Sequence, residues 1–501
     1  MARPCNLPSS HSLEPVEGCA NGNESGTPKD LRILMREYGG TFGRATVIAE
    51  YRMSSTRCFM KEIDAIVIGS GISGLLSALA LSREGKRVVI LERESYIGGV
   101  CRSYDVNGYR VDTGPHAITR LENGPLKQLM DKYFDIAPKF IPFGKYYVRI
   151  GGEVKPFPWS INAWLTFGLI PKKDRLLLMK ALFNTLYLAK SGKDISNITL
   201  SEVLPDRISL TTRRFLDWLC YFLVGASIEN APISRFVDNK THHTRSIPSV
   251  GKVYDLFITE GATDQGYPKG GLQAIVDAIL ASFPKGSVEI KTGEKVEKID
   301  CAESVSGVIT SEDSYSCQSV VYSGFSSDLP RLIPDLPASY TKNLATIKRV
   351  NSMTVWLGLK KKIFTNQGAE MWVDADPYAW MVPTSNYDPS LAPKGNQLVG
   401  FAFTPLPEGY SSSAIKKKAL GTIVDNIPEI EKHIDMIHYQ ELIPEKASWG
   451  INYGFGDVRT PVKNLYCVGT DTTKRSAGVN RAAYSVLNLL DVMRSDGYLK
   501  G

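Results

Sequence analysis

The sequence lacks the patterns that mark metal-binding, disulfide-rich, membrane-spanning and nucleic-acid-binding proteins. Its eight cysteines are scattered without a Cys-x-x-Cys pair, which argues against a metal site and a disulfide framework. No apolar run reaches the ~18 residues that a membrane-spanning helix needs. The net charge of +7 is not gathered into Lys/Arg tracts, so nucleic acid is not an expected partner. We predict a cytoplasmic protein without metal, able to lie peripherally on an anionic membrane surface.

The first 59 residues differ in composition from the rest of the chain. They are rich in Ser, Gly, Asn and Pro, show no sustained hydrophobic period, and contain no apolar stretch typical of an export signal. Met60 leads directly into the first predicted strand. We therefore predict that residues 1–59 are a disordered leader outside the fold. The remaining chain, with 43% apolar residues overall, is long enough to bury a large core in more than one domain.

Residues 64–102 carry the strongest functional signal. They read as a strand, a turn containing Gly69, Gly71 and Gly74, a helix rich in Leu and Ala, and a second strand that ends at Glu92. The first glycine permits the turn, the second lets the backbone approach a pyrophosphate, and the third lets helix and strand pack closely. The helix N-terminus offers N–H groups to phosphates, and the acid lies where it can accept hydrogen bonds from an adenosine ribose. The pattern predicts a dinucleotide site.

A second glycine pair follows this motif. Gly98 and Gly99 precede Arg102. The arrangement resembles an extension found in FAD enzymes of the amine oxidase and phytoene desaturase superfamily, in which the glycines pass close to the pyrophosphate and the arginine meets its charge. A nicotinamide-dependent dehydrogenase is not expected to carry this extension, and Glu92 would repel the extra phosphate of NADP. The resemblance implies FAD as the cofactor.

Three later runs resemble the same superfamily, which also includes protoporphyrinogen oxidases. Residues 111–119, VDTGPHAIT, are similar to the desaturases' Asp-x-Gly-Pro-x-x-Ile-Thr, and residues 267–272, YPKGGL, are similar to the start of their second FAD-domain portion. Residues 464–471, NLYCVGTD, are similar to the final FAD motif, whose acid binds the ribityl chain. In this sequence a threonine separates that acid, Asp471, from the preceding glycine, and Arg481 stands where small residues are usual.

The resemblance implies an α/β fold. Its parts are a Rossmann-like FAD-binding domain of the glutathione-reductase type and an interleaved α+β substrate domain. The predicted FAD-binding segments are 60–135, 265–330 and 446–501. The predicted substrate segments are 136–264, expected to be mainly helical, and 331–445. The residues implied in FAD binding are Gly69, Gly71, Ser73, Gly74, Glu92, Arg93, Gly98, Gly99, Arg102, Gly114, Pro115, Val296, Gly469, Asp471, Gly478 and Val479.

The chemistry expected of this fold is that of its cofactor. A flavin accepts hydride at N5, so the protein has to bind, orient and exclude water. The resemblance implies an FAD-dependent oxidoreductase that oxidises or desaturates a hydrophobic small molecule, either isoprenoid or carotenoid-like or a tetrapyrrole. A flavin amine oxidase and a non-redox flavin-binding mutase or isomerase are the alternatives. His116, in a Gly-Pro turn, is the candidate catalytic residue, with a structural turn histidine as the alternative.

The electron acceptor and a possible lipid contact are less directly indicated. A second GxGxxG after a strand is absent from the sequence, so oxygen or a quinone is expected as acceptor rather than NADPH. Lys172 and Lys173 precede a run in which Leu178, Leu182 and Leu186 recur at helical spacing. This run fits a helix packed inside the substrate lobe. It also fits a basic interfacial helix that admits a lipid-like substrate from a bilayer.

Overall fold

In a computed structural model of the chain, the described residues are 63–237 and 264–500, apart from the side chains of Ile443 and Glu445. The predicted leader, residues 1–59, lies outside the described residues, as does the end of the segment predicted to be mainly helical. In the described part of the chain, no helix is both long enough and apolar enough to cross a bilayer.

The described part of the chain contains nineteen strands. Their bounds are β1 (Ile63–Ile68), β2 (Val88–Glu92), β3 (Ser103–Val106), β4 (Tyr109–Asp112), β5 (Ile118–Thr119), β6 (Phe140–Pro142), β7 (Lys145–Ile150), β8 (Glu153–Pro156), β9 (Gln265–Pro268), β10 (Val288–Thr292), β11 (Val296–Cys301), β12 (Val305–Thr310), β13 (Ser314–Tyr322), β14 (Arg349–Leu359), β15 (Gly368–Trp372), β16 (Tyr378–Val382), β17 (Gln397–Thr404), β18 (Ile434–Ala447) and β19 (Leu465–Cys467).

Helices connect and cover these strands. Their bounds are α1 (Ile72–Arg83), α2 (Pro125–Tyr133), α3 (Ile161–Thr166), α4 (Lys172–Lys190), α5 (Leu200–Val203), α6 (Leu210–Val224), α7 (Ser234–Val237), α8 (Gln273–Ala281), α9 (Leu329–Leu332), α10 (Ala338–Leu344), α11 (Ser412–Asn426) and α12 (Gly478–Ser495).

A sheet with a parallel centre holds the predicted dinucleotide motif. Its order is β10-β2-β1-β13, with β19 also beside β13, and all these neighbours run parallel. At the centre of the sheet, residues 65–68 of β1 and 88–91 of β2 form apolar runs because both faces are covered. In β1, Ala65 and Val67 pack towards α1 and α12, whereas Ile66 and Ile68 pack into a second cluster on the opposite face. The antiparallel strands β12 and β11 extend the sheet beyond β13.

The second sheet has the order β18-β14-β17-β16-β15-β7-β8. In β14, the buried residues Met353, Val355 and Leu357 belong to an apolar cluster that includes residues of α11. The alternate residues, such as Thr354 and Trp356, point to the opposite face because strand side chains alternate. This second face lies towards the cavity described below.

The β3–β4 hairpin and the start of the segment predicted to be mainly helical show how local sequence determines local structure. The hairpin β3–β4 turns at Asn107 and Gly108, which have φ angles of 49° and 83° as a tight hairpin turn requires. The segment predicted to be mainly helical opens instead with β6, β7 and β8 before its helices begin. In β7 the buried residues Tyr146 and Val148 alternate with more exposed neighbours, which is the pattern of a half-buried strand. The strands of the parallel sheet fall in the predicted FAD-binding segments, and the domain boundaries themselves stay a prediction.

Candidate functional site

The glycine turn between β1 and α1 has the geometry that a nucleotide loop needs. Gly69 has a φ of 98°, and a Cβ added to Gly74 would lie 2.0 Å from the Gly69 carbonyl oxygen, so helix and strand could not pack with a larger residue there. A Cβ added to Gly71 meets nothing within 4 Å. The α1 N-terminus has neither a capping side chain nor an acid in its first turn. Free N–H groups therefore face open space, as an anion site requires.

Glu92 is held against this turn. One carboxylate oxygen accepts hydrogen bonds from the Ser70 N–H and hydroxyl, both at 2.7 Å, and the other accepts from the Glu94 N–H at 2.9 Å. The side chain is 7% exposed. A carboxylate has about four acceptor positions, so these three bonds leave capacity for one further donor. The acid thus fixes the turn in addition to the sugar contact predicted for it.

The second glycine pair lies directly against the first glycine turn. The Gly98 N–H donates to the Ser70 carbonyl at 3.0 Å, and a Cβ added to Gly99 would lie 3.2 Å from the Gly71 Cα. Both residues of the pair have positive φ angles, 106° for Gly98 and 56° for Gly99. The structure therefore brings two glycine segments, separated in sequence, to one edge of the parallel sheet.

Arg102 sits between two aromatic rings. Its guanidinium carbon lies 3.6 Å from the ring centre of Tyr96 and 4.7 Å from that of Tyr104, and its buried Nε has no hydrogen-bond partner among the described residues. The Tyr104 hydroxyl accepts a 2.7 Å hydrogen bond from Gln440 of β18. The same glutamine accepts the Gly114 N–H at 2.7 Å. These contacts link the second sheet to the turn that carries His116.

His116 lies at the cavity between the two sheets. Its Nδ1 is 2.9 Å from the Gly114 carbonyl oxygen. Because a carbonyl only accepts, Nδ1 carries the proton, and Nε2 of the neutral ring is left as an acceptor. Gly114 has a φ of 79°, and a Cβ there would lie 2.9 Å from the imidazole. The glycine is therefore required for the ring's position.

The carboxy-terminal motif contributes a second uncapped helix N-terminus. Gly478 and Val479 begin α12 and line the cavity, and this helix also has neither a capping side chain nor an acid in its first turn. Asp471 is buried, and its carboxylate accepts from the Ser326 N–H at 2.6 Å and the Ser326 hydroxyl at 2.5 Å. Burial raises the pKa of this carboxyl group. Gly469, with a φ of 145°, donates its N–H to Ser485 at 3.0 Å.

Arg481, noted in the sequence as an unusual residue, holds the loop before α12. It is 1% exposed and donates to the carbonyl oxygens of Ser476, Ala447 and Thr470 at 3.0, 2.9 and 3.2 Å. Burial lowers the pKa of its guanidinium to about 10, while the charge of Asp471 acts in the opposite direction. The arginine therefore joins β18 to the carboxy-terminal motif.

The remaining predicted cofactor residues lie around the end of β2. The Ser73 hydroxyl is 2.8 Å from that of Ser323, next to the glycine turn. The Glu294 N–H donates to the Glu92 carbonyl oxygen at 2.8 Å, which places Val296 beside the same strand end. Arg93 is exposed and pairs with its neighbour Glu94. Of the predicted residues, Gly114, Pro115, His116, Gly478 and Val479 line the cavity, whereas Gly469 and Asp471 lie in the loop between β19 and α12 and do not line it.

A cavity of about 290 Å³ joins these features to the second sheet. Ile72 of α1, the segment around Cys101, and the α12 N-terminus contribute one side. The opposite side is aromatic, and its rings are those of Tyr146, Trp218, Tyr221, Phe222, Tyr378 and Trp380.

Four of these rings form a continuous wall, and Tyr221 and Tyr378 form a second pair at 5.9 Å. Phe222 stacks on Trp218 at 5.1 Å and on Trp380 at 4.8 Å, and Tyr146 lies 5.3 Å from Trp380. The sequence alone does not bring these residues together, since α6, β7 and β16 meet only in the folded chain. A wall of this kind offers apolar, polarisable surface to a flat ligand.

The cavity's charged groups are cations. Arg235 and Lys446 line it, and no Asp or Glu belongs to its lining in the described part of the chain. Arg235 is 8% exposed, and burial, followed by the nearby charges of Arg481 and Arg120, lowers the pKa of its guanidinium. None of these basic residues was predicted as part of the site, because their sequence context carries no motif.

Comparison with known proteins places this geometry in a family. A family model for flavin-containing amine oxidoreductases matches residues 72–433. An all-trans-retinol 13,14-reductase of Macaca fascicularis is 40% identical over 279 residues, which cover 50% of this chain and 44% of that protein. A 1-hydroxycarotenoid 3,4-desaturase of Flavobacterium sp. is 24% identical over 378 residues, covering 66% of this chain and 74% of that protein. The chain spans less than half of the length of the retinol reductases that it matches.

Solved structures share the fold. An oxidoreductase from Methanosarcina mazei has a TM-score of 0.65 at 19% identity, covering 86% of this chain and 100% of that one. Cyclohexylamine oxidase from Brevibacterium oxydans has a TM-score of 0.63 at 15% identity, with 86% and 100% covered.

The open space at Gly71, the uncapped N-termini of α1 and α12, and the contact between the two glycine segments fit a flavin dinucleotide. When bound, FAD supplies hydride-transfer chemistry. The predicted superfamily, fold class and cofactor are confirmed by the family match and the structural neighbours. The chain belongs to the flavin-containing amine oxidoreductase family, and its cofactor is FAD.

Proposed function

We propose that this flavoprotein oxidises or desaturates a flat, hydrophobic small molecule by hydride transfer to the flavin N5, with an isoprenoid or carotenoid-like polyene as the favoured substrate and a tetrapyrrole as the other candidate. The aromatic wall of Trp218, Phe222 and Trp380 carries this proposal. Its stacked rings face a cavity that also reaches the Gly98–Arg102 segment and the α12 N-terminus. A conjugated chain would bury its faces on such a wall, because apolar burial contributes about 25 cal/mol per Å².

A flavin amine oxidase is the alternative function, since solved amine oxidases share the fold.

The names of the relatives support the same substrate class. The matched curated proteins include an all-trans-retinol 13,14-reductase, a 1-hydroxycarotenoid 3,4-desaturase and a 4,4'-diapolycopen-4-al dehydrogenase. All three names refer to polyenes. We extend the polyene class to this chain as a proposal, with oxygen or a quinone as the acceptor.

We assign the FAD contacts to the residues predicted from the sequence. The α1 N-terminus with Gly71 would hold the pyrophosphate, Glu92 the adenosine ribose, and the α12 N-terminus the flavin end. Within this arrangement His116 is the proposed cavity-facing residue that contacts flavin or substrate, because Nδ1 is fixed on Gly114 and Nε2 is left to accept a hydrogen bond.

Helix α4 supplies the proposed contact with a membrane. Its buried side consists of the polar or small residues Asp174, Ala181 and Thr185. The carboxylate of Asp174 accepts hydrogen bonds from Ser209 and Thr212. Its large apolar side chains point outwards, with Phe183 54% exposed and Tyr187 74% exposed. The exposed apolar residues are Leu176, Leu182, Phe183, Leu186 and Tyr187. Exposed lysines at positions 172, 173, 180 and 190 flank them. This inverted pattern is typical of an interfacial helix rather than of a helix packed in a core.

Anaerobic reduction of the bound flavin tests the proposed function. The holoenzyme is mixed without oxygen with a carotenoid, with protoporphyrinogen or with benzylamine, and the visible flavin absorbance is followed. We expect bleaching by the carotenoid or by the tetrapyrrole. Bleaching by the amine alone would establish an amine oxidase, and no bleaching by any of the three compounds would contradict the proposal.

A further inference from the structure

The floor of the cavity is not uniformly apolar. On its β14 side, Ser352 and Thr354 point to the cavity, and on the neighbouring β17 so does Thr404. In the register of these strands Met353 pairs with Phe403 and Thr354 pairs with Ala402, so the hydroxyl-bearing residues are close neighbours on one face. They form a polar spot beside Tyr378, which pairs with Thr404 from β16.

Two of these hydroxyls are buried without a partner. Thr354 is fully buried, and neither its Oγ1 nor that of Thr404 has a hydrogen-bond partner among the described residues. A buried hydroxyl without a hydrogen bond is unfavourable, and most such groups in proteins are satisfied. A β-branched residue of the same shape, valine, would fill each position without that penalty. The hydroxyls therefore point to a ligand that completes their hydrogen bonds.

We infer that Thr354 and Thr404 form a subsite for a neutral oxygen function, a hydroxyl or carbonyl, on the hydrophobic substrate. This inference rests on the proposed function and deepens it, since it distinguishes an oxygen-bearing polyene from a plain hydrocarbon. A threonine hydroxyl both donates and accepts, so the pair can satisfy either oxygen type. The aromatic wall binds the chain, and the threonine pair fixes its end and thereby which carbon lies at the flavin.

Matched ligands and matched variants test this subsite. The probes are all-trans-retinol, all-trans-retinal and the hydrocarbon with a methyl group in place of the hydroxymethyl group of retinol. Binding to the holoenzyme is followed by the perturbation of the flavin spectrum. Thr354→Val and Thr404→Val remove the hydroxyls and keep the branched shape. Thr354→Ser and Thr404→Ser keep the hydroxyls and serve as controls.

The expected result is selective. The wild type should bind retinol or retinal more tightly than the hydrocarbon. Each valine variant should bind retinol and retinal about three- to tenfold more weakly than the wild type does. Binding of the hydrocarbon should be unchanged or tighter, and the serine variants should behave like the wild type. Equal weakening of both ligand types, or no weakening in either valine variant, would overturn the subsite while leaving the proposed function intact. Absence of binding of any polyene to the wild type would overturn both the subsite and the polyene as substrate, and would leave the tetrapyrrole as the candidate substrate.

Discussion

At the residue scale, the glycines around α1 separate folding from cofactor binding. An added Cβ at Gly74 would overlap the Gly69 carbonyl oxygen, whereas at Gly71 it would enter open space. Gly71 has a φ of −62°, which alanine also adopts readily. A larger residue at position 74 is thus excluded by the fold itself, whereas a larger residue at position 71 is excluded only when a ligand occupies the adjacent space.

Three alanine variants test this distinction. Gly74→Ala should lower the free energy of unfolding by ~1–3 kcal/mol, because the backbone of α1 must move away from the Gly69 carbonyl oxygen. Gly71→Ala should leave the unfolding of the FAD-free protein within ~0.5 kcal/mol and weaken FAD at least about tenfold. As a control, Gly421→Ala within α11, where a Cβ meets nothing, should stabilise the protein by roughly 0.5–1 kcal/mol. Thermal unfolding and FAD titration measure these effects. If Gly71→Ala binds FAD as tightly as the wild type does, the cofactor does not bind at this turn.

Some of the residues of the site are predictable from the sequence, and others are not. The glycine spacing predicted the turn because a backbone conformation imposes a residue type locally. Thr354 and Arg235 carry no such signature, since their roles depend on which strand face or helix end lies towards the cavity. The alternation of Ser352 and Thr354 with Met353 and Val355 was a usable signal. It indicates that one face of β14 is not an ordinary apolar core face.

At the element scale, the hydrophobic periodicity of α4 predicts its secondary structure but not what its apolar side faces. The spacing of its leucines correctly predicted a helix, now seen from Lys172 to Lys190. The same spacing could not say whether the apolar stripe faces a core or a bilayer. The structure places the large apolar side chains outwards because Asp174, Ala181 and Thr185 occupy the buried side.

Liposome binding tests the membrane contact of α4. The FAD-loaded protein should sediment with anionic vesicles and be released partly by high salt, since charge attraction is screened over about 10 Å at 0.1 M. Changing Lys172, Lys173 and Lys180 to Gln should reduce sedimentation without loss of FAD. The matched control changes three other exposed lysines, at positions 360 to 362, to Gln, and should sediment like the wild type. An equal loss of sedimentation in the two variants would indicate a general charge effect. If the wild type stays in the supernatant, the proposed membrane contact is wrong.

At the scale of the whole molecule, two sheets assembled from interleaved segments create the site. The parallel sheet brings the glycine turns and the α1 and α12 N-termini to one side. The second sheet brings the face of β14, β16 and β17 to the other. Gln440 and Arg481 bridge the two, through Gly114 and through the Thr470 carbonyl oxygen. The sequence motifs indicated the cofactor side, because phosphate binding uses local backbone geometry. The substrate side arises from strand pairing over long distances and was not predictable residue by residue.

A crystal structure of the FAD-loaded protein with a bound polyene such as retinol would show directly whether cofactor and substrate share this cavity. We expect the flavin beside Gly98, Gly99 and the α12 N-terminus. We expect the polyene along the wall formed by Phe222 and Trp380, between the flavin and the second sheet. A polyene bound outside this cavity, or a flavin ring that does not border it, would show that the proposed site is wrong.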